Sequence, residues 1–251
     1  MDLDHRVLIL DPPQTSSSLY AWLDSDLGRY ALGRELAWYD QACADLFGFN
    51  AMQLGFCQID FLRANRMPFR VCGGQAGGAF HCALEQLPIA SESLDLLALP
   101  HALEFSPHPH QLLRECERVL RPEGKLLISG FNPLSLWGLR RWLARSHAIY
   151  PWHGRFIRLA RLKDWLALLG FELTSGRMIC YAPPFGRADW LDRFAWLESA
   201  GDRWWAMGGG IYLLLAVKRR VGLRLIAPKW DKSWLARPVL GPTTQRLAND
   251  D

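Results

Sequence analysis

The stretch from residue 94 to residue 131 constrains the fold of this chain more than any other part. Residues 94–99 (Leu-Asp-Leu-Leu-Ala-Leu) form a nearly continuous apolar run, as expected for a parallel strand that is covered on both faces. A helical pattern follows over residues 109–120 and stops at Arg-Pro-Glu-Gly (121–124), and a second apolar run follows at residues 125–131. This order predicts two parallel strands joined by a helical crossover.

The same alternation of patterns continues on both sides of this unit. Helices are predicted from the Ser16–Ser18 cluster onward and over residues 33–46, 133–145 and 159–169, and strands over residues 51–55, 69–72, 171–173 and 210–218. Strands that alternate with helices predict an α/β domain, with a mostly parallel sheet and helices on both of its faces.

Changes in composition along the chain suggest its organisation. Residues 1–47 are interpreted as an N-terminal helical segment, and residues 48–220 as the α/β domain. Within that domain, residues 182–208 are rich in Trp, Arg, Gly and Pro and are interpreted as an insertion. Residues 221–251 lack clear periodicity and are expected to form a basic, loosely ordered tail.

The termini and the cysteines indicate a cytoplasmic protein. Residues 1–5 are acidic where a secretory signal needs basic residues, and the longest apolar run, residues 211–217, is far shorter than the ~20 residues of a membrane span. The six cysteines include no Cys-x-x-Cys pair. They are therefore predicted to be reduced thiols, and no metal site is expected.

The charge of the chain is distributed unevenly. Residues 1–60 carry three Arg against nine Asp and Glu, whereas residues 121–251 carry 21 Lys and Arg against ten Asp and Glu. A basic C-terminal half favours an anionic substrate, a nucleic acid or a membrane surface as partner. A solvated basic face without a partner explains the same pattern equally well.

Four linked motifs between residues 84 and 133 carry a family resemblance. They are Leu-Glu-Gln-Leu-Pro-Ile (84–89), Ser-Leu-Asp-Leu-Leu (93–97), His-Ala-Leu-Glu-Phe (101–105) and Arg-Val-Leu-Arg-Pro-Glu-Gly (118–124). This succession resembles the class I S-adenosylmethionine (SAM) methyltransferases of type 11, in particular a smaller bacterial branch that shares Phe-Asn-Pro at 131–133. The resemblance implies a Rossmann-like fold with a seven-stranded, mostly parallel sheet, and SAM as the cofactor.

The resemblance implies which residues line the cofactor site, and it also exposes departures from the family pattern. Gln-Leu-Gly-Phe-Cys-Gln-Ile (53–59) stands where the family has Asp-Leu-Gly-x-Gly-x-Gly, no Asp or Glu lies between Asp60 and Glu85, and Ala83 replaces an expected Asp. Glycines in such a turn allow close backbone approach or positive φ, which a β-branched residue adopts poorly. The implied cofactor contacts are Gln53, Gly55, Phe56, Cys57, Leu84, Glu85, Leu99 and Pro100.

Residues that follow the fourth and fifth predicted strands are candidates for the chemistry. His101 is suited to proton transfer at neutral pH and is predicted as a general base, with a packing role as the alternative. Glu104, Phe131, Asn132, Arg140 and Arg141 are predicted to contact the substrate. For Asn132 a turn that ends the strand is an equally good interpretation, and both arginines fit an exposed surface as well as an anion site.

The expected function is therefore that of a SAM-dependent methyltransferase with altered cofactor contacts and an unidentified methyl acceptor. The missing acidic residues favour an alternative, a methyltransferase-like protein that binds or scaffolds without catalysis. A third hypothesis, an RNA-directed protein, rests on the basic half and on the aromatic residues between Trp190 and Trp205, which fit a packed lid helix equally well.

Overall fold

The computed structural model describes most of the N-terminal 219 residues. The described residues are 19, 21–75, 77–143, 150–186, 188–205 and 207–219. The chain divides into two units, residues 1–220 and residues 221–251. The predicted tail and the predicted helix start at Ser16–Ser18 lie outside the described residues.

The first unit is built on one seven-stranded sheet. Its strands are β1 (Asn50–Leu54), β2 (Phe69–Gly74), β3 (Phe80–His81), β4 (Leu94–Pro100), β5 (Leu120–Phe131), β6 (Phe171–Ile179) and β7 (Ile211–Lys218). They follow the order β3-β2-β1-β4-β5-β7-β6, and β1 to β5 pair in parallel. Strand β7 is antiparallel to both β5 and β6. The predicted Rossmann-like sheet is thereby confirmed.

Besides the helical residues 19 and 21–23, seven helices belong to the same unit in the described part of the chain. They are α1 (Asp26–Ala44), α2 (Ala102–Phe105), α3 (Pro109–Val119), α4 (Leu136–Leu143), α5 (Leu159–Leu168), α6 (Ala188–Arg193) and α7 (Trp196–Trp204). Helix α1 begins seven residues before the predicted start at Gly33, because Ser25 caps it: the Ser25 Oγ accepts a hydrogen bond from the Gly28 N–H. None of the described helices is both long and apolar enough to cross a membrane.

Some boundaries differ from the sequence-based prediction. Residues 121–124 were expected to separate a helix from a strand, but they lie within β5. The pairing of β4 with β5 shifts at this point, since Leu94 pairs with Leu120 whereas Leu96 pairs with Lys125. Strand β5 therefore has more residues than β4 between these two pairs and forms a bulge, in which Glu123 has a φ of 64°. Strand β6 also runs six residues beyond its predicted end.

Two apolar clusters cover the two faces of the sheet. One contains Leu112 and Leu113 of α3 together with Leu162 and Leu166 of α5. The other contains residues of α1 and α4, including Tyr39 and Trp137. Helices therefore cover both faces, as predicted, and the loops at the carboxyl ends of the parallel strands remain free to form a site.

Candidate functional site

A cleft opens at the carboxyl ends of β1, β2 and β4. Its volume is about 360 Å³, within the range of small-ligand sites. Residues from the loops after these strands line it, among them Gly55, Phe56, Gln75, Leu84, His101 and Glu104. We call this space the His101 cleft. Ligands of open α/β sheets bind at this edge, so the cleft is the candidate functional site.

The turn after β1 keeps part of the geometry that the family pattern requires. Gly55 has a φ of 81°, and a Cβ atom added to it would meet only the Ala102 Cβ at 3.9 Å and the Pro100 carbonyl oxygen at 4.0 Å. Phe56, which is not glycine, also has a positive φ of 52°. The open space beside Gly55 allows a ligand to approach the backbone closely.

The side chain of Gln53, near the end of β1, forms hydrogen bonds with the backbone of this turn and of the loop that follows it. Its side chain is 2% exposed, and its Nε2 donates hydrogen bonds to the carbonyl oxygens of Gly55, Phe56 and Ile59 at 3.0, 3.1 and 2.9 Å. Its Oε1 accepts a hydrogen bond from the Phe61 N–H at 2.9 Å. Both ends of the amide are thus engaged within the loop. Its role as a cofactor contact stays a prediction, while these four hydrogen bonds give it a structural one.

Cys57 forms a disulfide bond with Cys72, so the prediction that all six cysteines are reduced thiols is wrong. Cys57 lies in the loop after β1 and Cys72 on β2, and their Cα atoms are 5.6 Å apart. Pairing of the adjacent parallel strands brings the two residues together despite a separation of 15 positions. The other four cysteines are free. The disulfide bond tethers the turn that borders the His101 cleft to the neighbouring strand.

Gln75 occupies the position that follows β2. It lines the cleft, where the family pattern places an acidic residue. The amide oxygen of glutamine accepts hydrogen bonds from hydroxyl groups, as a carboxylate does, but carries no charge. In the family this acidic residue accepts hydrogen bonds from sugar hydroxyl groups, and only Asp or Glu was expected at this position. A search for any acceptor directly after the second strand would have found Gln75.

A buried cluster of Glu35, His101 and Glu104 lies at the inner end of the cleft. The His101 Nδ1 is 2.8 Å from the Glu104 Oε2, and the His101 Nε2 is 3.3 Å from the Glu35 Oε2. All three residues are at most 3% exposed. The Glu104 Oε1 accepts a hydrogen bond from the Phe131 N–H. We refer to these three residues as the Glu–His–Glu cluster.

Burial and neighbouring charges shift the pKa values of His101 and Glu104 within this cluster. Burial lowers the pKa of His101, but the charges of Glu35 and Glu104 and their hydrogen bonds raise it by more, to about 10. Burial raises the pKa of Glu104, and His101 and the Phe131 N–H oppose that change. The raised pKa favours the imidazolium over the neutral imidazole, and in that form His101 orients Glu104 through its Nδ1. The general-base role needs the neutral form and stays a prediction.

Aromatic rings enclose the same region. The Phe131 ring stacks on the His101 imidazole at a centroid distance of 4.2 Å, and the Phe56 ring lies 5.8 Å from it. The Tyr150 ring is 5.8 Å from Phe56 and stacks on Phe105 at 5.1 Å. Phe131, predicted to contact the substrate, is fully buried behind His101. Its position supports the imidazole and does not border the cleft directly.

The remaining predicted residues fall into two groups. Leu84 borders the cleft, and the carboxylate of the next residue, Glu85, accepts a hydrogen bond from the Ser106 hydroxyl. Leu99 and Pro100 lie at the end of β4, below the cleft. The contacts predicted for these four residues stay predictions.

Three residues after β5 have partners within the protein. The Asn132 Nδ2 donates to the carbonyl oxygens of Met207 and Gly209, and its Oδ1 accepts from the Leu134 N–H, which is the turn geometry that the alternative interpretation described. The Arg140 guanidinium lies 4.8 Å from the Trp152 ring centroid, and the Arg141 Nε donates to the carbonyl oxygens of Trp152 and Gly154. The structure does not bring these side chains to the His101 cleft.

The insertion and the basic end of β7 pack against the domain. Glu198 of α7 accepts hydrogen bonds from the Tyr30 hydroxyl of α1 and from the Tyr181 N–H, and it lies 3.4 Å from the Arg34 guanidinium. Lys218 forms an ion pair with Glu117 at 2.8 Å, and Arg219 pairs with Glu123 and Glu172. Helix α7 is thus anchored on α1, as the lid-helix interpretation requires.

Comparison with known proteins shows the family. A family model described as a methyltransferase domain matches residues 34–128. The protein YafS of Escherichia coli K12 is 32% identical to this chain over 241 residues, which cover 93% of this chain and 95% of that protein. The chain belongs to the methyltransferase domain family. The resemblance inferred from residues 84–133 is confirmed.

One further protein sequence and one solved structure are similar to parts of this chain. The malonyl-[acyl-carrier protein] O-methyltransferase of Methylovorus is 35% identical over 92 residues, which cover 36% of this chain and 31% of that protein. The crystal structure of a SAM-dependent methyltransferase from Thermotoga maritima covers 82% of this chain and 97% of its own at a TM-score of 0.61, with 16% identity. At that identity the second likeness shows the fold alone.

The described residues also bear on metal binding. Among them, no group of three or more His, Cys, Asp and Glu side chains is placed to hold a metal ion. The members of the Glu–His–Glu cluster bind one another through both imidazole nitrogens, which leaves neither nitrogen available as a ligand.

Proposed function

We propose that this protein binds SAM in the His101 cleft and transfers its methyl group to an acceptor that enters the same cleft. The observation that carries the proposal is the turn at Gly55 and Phe56, which keeps positive φ and open space at the carboxyl end of β1. Membership of the methyltransferase domain family supports it.

The residues present fit such a cofactor in part. Gly55 leaves room for a ligand to approach the backbone, and Gly74 lets the turn after β1 lie close to β2, because a Cβ atom at Gly74 would come within 3.3 Å of the Gly55 nitrogen. Gln75 offers an amide oxygen to a hydroxyl group, and Leu84 offers an apolar wall. When bound, SAM supplies a methyl group on a positively charged sulfur atom, which an acceptor takes by direct displacement.

The chain contributes position and charge to this reaction. Both oxygens of Glu104 are held in place by the His101 Nδ1 and the Phe131 N–H, so its carboxylate is fixed relative to the turn after β1. Fixed charges in a site that excludes water stabilise charge changes without reorganisation during the reaction. His101 therefore acts as a positioning residue in this proposal.

The test of the proposal is calorimetric titration of the purified protein with SAM and with S-adenosylhomocysteine. We expect dissociation constants in the micromolar range, and we expect Gly55→Val to abolish binding. Gly170→Val is the matched control, because Gly170 has nearly the same φ of 80° but lies between α5 and β6, away from the cleft. Because both variants place valine at a positive φ, loss of binding in Gly55→Val alone points to the turn after β1 as the cofactor site.

A second candidate is a protein that keeps the methyltransferase fold but binds without catalysis. The observation that favours it is the uncharged Gln75 after β2, since a charged acceptor for a hydroxyl group contributes about 1.5–3 kcal/mol. If folded protein gives no heat with either ligand at millimolar concentration, the enzyme proposal fails and this candidate replaces it.

A further inference from the structure

The Glu–His–Glu cluster places two buried carboxyl groups on one imidazole ring. Both contacts of His101 are within hydrogen-bond reach at 2.8 and 3.3 Å. Among the described residues, no Lys or Arg forms an ion pair with Glu35 or Glu104. Buried charges in proteins are normally paired. In the part of the chain that the structure describes, His101 is therefore the one basic side chain that pairs with either carboxyl group.

Polar atoms beside the cluster are also unsatisfied. The Glu35 Oε1 is buried and has no hydrogen-bond partner among the described residues, and the same holds for the Tyr150 hydroxyl, which belongs to a cleft-lining residue. Burial raises the pKa of Tyr150, and the nearby charges of Glu104 and Glu35 raise it further. Buried polar groups without partners are rare in folded proteins. Here one of them belongs to Tyr150, which lines the cleft, and the other to Glu35, which contacts the cleft-lining His101.

The rings around the cluster favour the same kind of ligand. Phe56, Phe105 and Tyr150 all line the cleft, and neighbouring rings are 5.8 and 5.1 Å apart. The faces of aromatic rings carry partial negative charge, and several rings together bind ammonium-type cations. Arg155 also lines the cleft, but it is exposed, and its backbone N–H donates a hydrogen bond to the Glu104 carbonyl oxygen rather than to the carboxylate.

We propose that the Glu–His–Glu cluster, with the rings of Phe56, Phe105 and Tyr150, binds a positively charged group of a ligand in the His101 cleft. Two sources share this chemistry: the sulfonium of the methyl donor and a protonated amine on the methyl acceptor. The first source rests on the proposed function, whereas the second does not require SAM to bind. Removal of either carboxylate therefore weakens a cationic ligand more than a neutral one.

The experiment compares two pairs of ligands that differ in charge. SAM is paired with S-adenosylhomocysteine, whose sulfur is neutral, and benzylamine is paired with benzyl alcohol. Each ligand is titrated by calorimetry into the native protein, Glu104→Gln and Glu35→Gln. The control is Glu172→Gln. Glu172 lies on β6, and its exposed carboxylate pairs with Arg219. Thermal unfolding of each variant shows whether it is folded.

We expect both cluster variants to weaken the cationic member of at least one pair by about tenfold or more relative to its neutral partner. A change confined to the first pair identifies the sulfonium as the cation. A change confined to the second pair identifies an amine acceptor. If SAM does not bind at all and benzylamine still depends on Glu104, the proposed function fails while the cation site stands.

The proposal is overturned if neither ratio changes in folded variants, because the cluster is then only structural. Should both Gln variants fail to fold, Phe105→Leu provides the test, since it removes a ring face and leaves the carboxylates in place. We expect a smaller loss of about threefold to tenfold for the cationic ligand. An unchanged ratio in Phe105→Leu then refutes the aromatic part of the site and with it the proposal.

Discussion

Replacement of Gln53 by Glu restores the acidic residue of the family pattern, yet we expect it to destabilise this protein. The Gln53 Nε2 donates to three carbonyl oxygens of the loop at 2.9–3.1 Å. A carboxylate has no N–H to donate, so the three carbonyls would face a buried negative charge. Only the hydrogen bond from the Phe61 N–H to the side-chain oxygen survives the change.

The magnitude follows from the lost hydrogen bonds. The two N–H bonds of the Gln53 amide, shared among three carbonyl oxygens, contribute about 0.5–1.5 kcal/mol each. Their loss, together with the burial of an unpaired charge, should lower the free energy of unfolding by at least about 3 kcal/mol. For a protein of this size, about 2–4 °C per kcal/mol then predicts a Tm lower by roughly 6–12 °C. Urea and thermal unfolding measure both quantities.

The control is Gln111→Glu on the exposed side of α3, where the same chemical change should stay within about 0.5 kcal/mol. SAM affinity is measured on both variants. If Gln53→Glu is as stable as the native protein and binds SAM more tightly, Gln53 is only a substituted ligand contact. The argument that it supports the loop would then be refuted.

Three further predictions test other parts of the structure. A thiol-specific reagent should detect four cysteines in denaturant without reductant and six with it. Reduction of the Cys57–Cys72 bond should lower the free energy of unfolding by about 3 kcal/mol. Six reactive thiols without reductant would contradict the bond. The pKa of His101 is about 10 in the folded protein, above its ordinary value of 6.5. Its contribution to stability is therefore complete below about pH 6.5 and is lost as the pH rises through 10. His101→Asn should accordingly flatten the decline in the free energy of unfolding between about pH 7 and 10. Gly33 lies at an open position inside α1, so Gly33→Ala should stabilise the protein by up to about 1 kcal/mol. A Cβ atom at Gly138 would lie 2.1 Å from a backbone oxygen, so Gly138→Ala should destabilise the protein by about 1–3 kcal/mol. Equal effects of the two variants in thermal unfolding would refute the packing argument.

The sheet was predictable because its signals are local. Strand β4 is a continuous apolar run bounded by polar residues, and the helices on either side repeat with the helical period. Strand β3 was missed because it has two residues, Phe80 and His81, which are too few for any periodicity. Strand β5 was cut short because Pro122 and Gly124 are typical of turns, whereas the pairing with β4 holds them in the sheet.

The site was less predictable because its key contacts are distant in sequence. His101 and Glu104 were found because they follow a recognisable strand, but Glu35 lies 66 positions before His101 and carries no local signal of burial. The general-base role assigned to His101 depended on its pKa, which two carboxylates set only after folding. The same reason applies to the Cys57–Cys72 bond, which the pairing of β1 with β2 creates.

Helix α1 carries two sets of contacts that face different parts of the molecule. Tyr30 and Arg34 hold Glu198 of the insertion, and Glu35, the next residue, holds His101 in the cleft. Because a helix rises 1.5 Å per residue and behaves as a rigid rod over such distances, the two sets of contacts lie within about 8 Å of each other along its axis. We therefore expect a displacement of Glu198 by the insertion to move Glu35 as well, and with it one of the two carboxyl groups that hold the His101 imidazole.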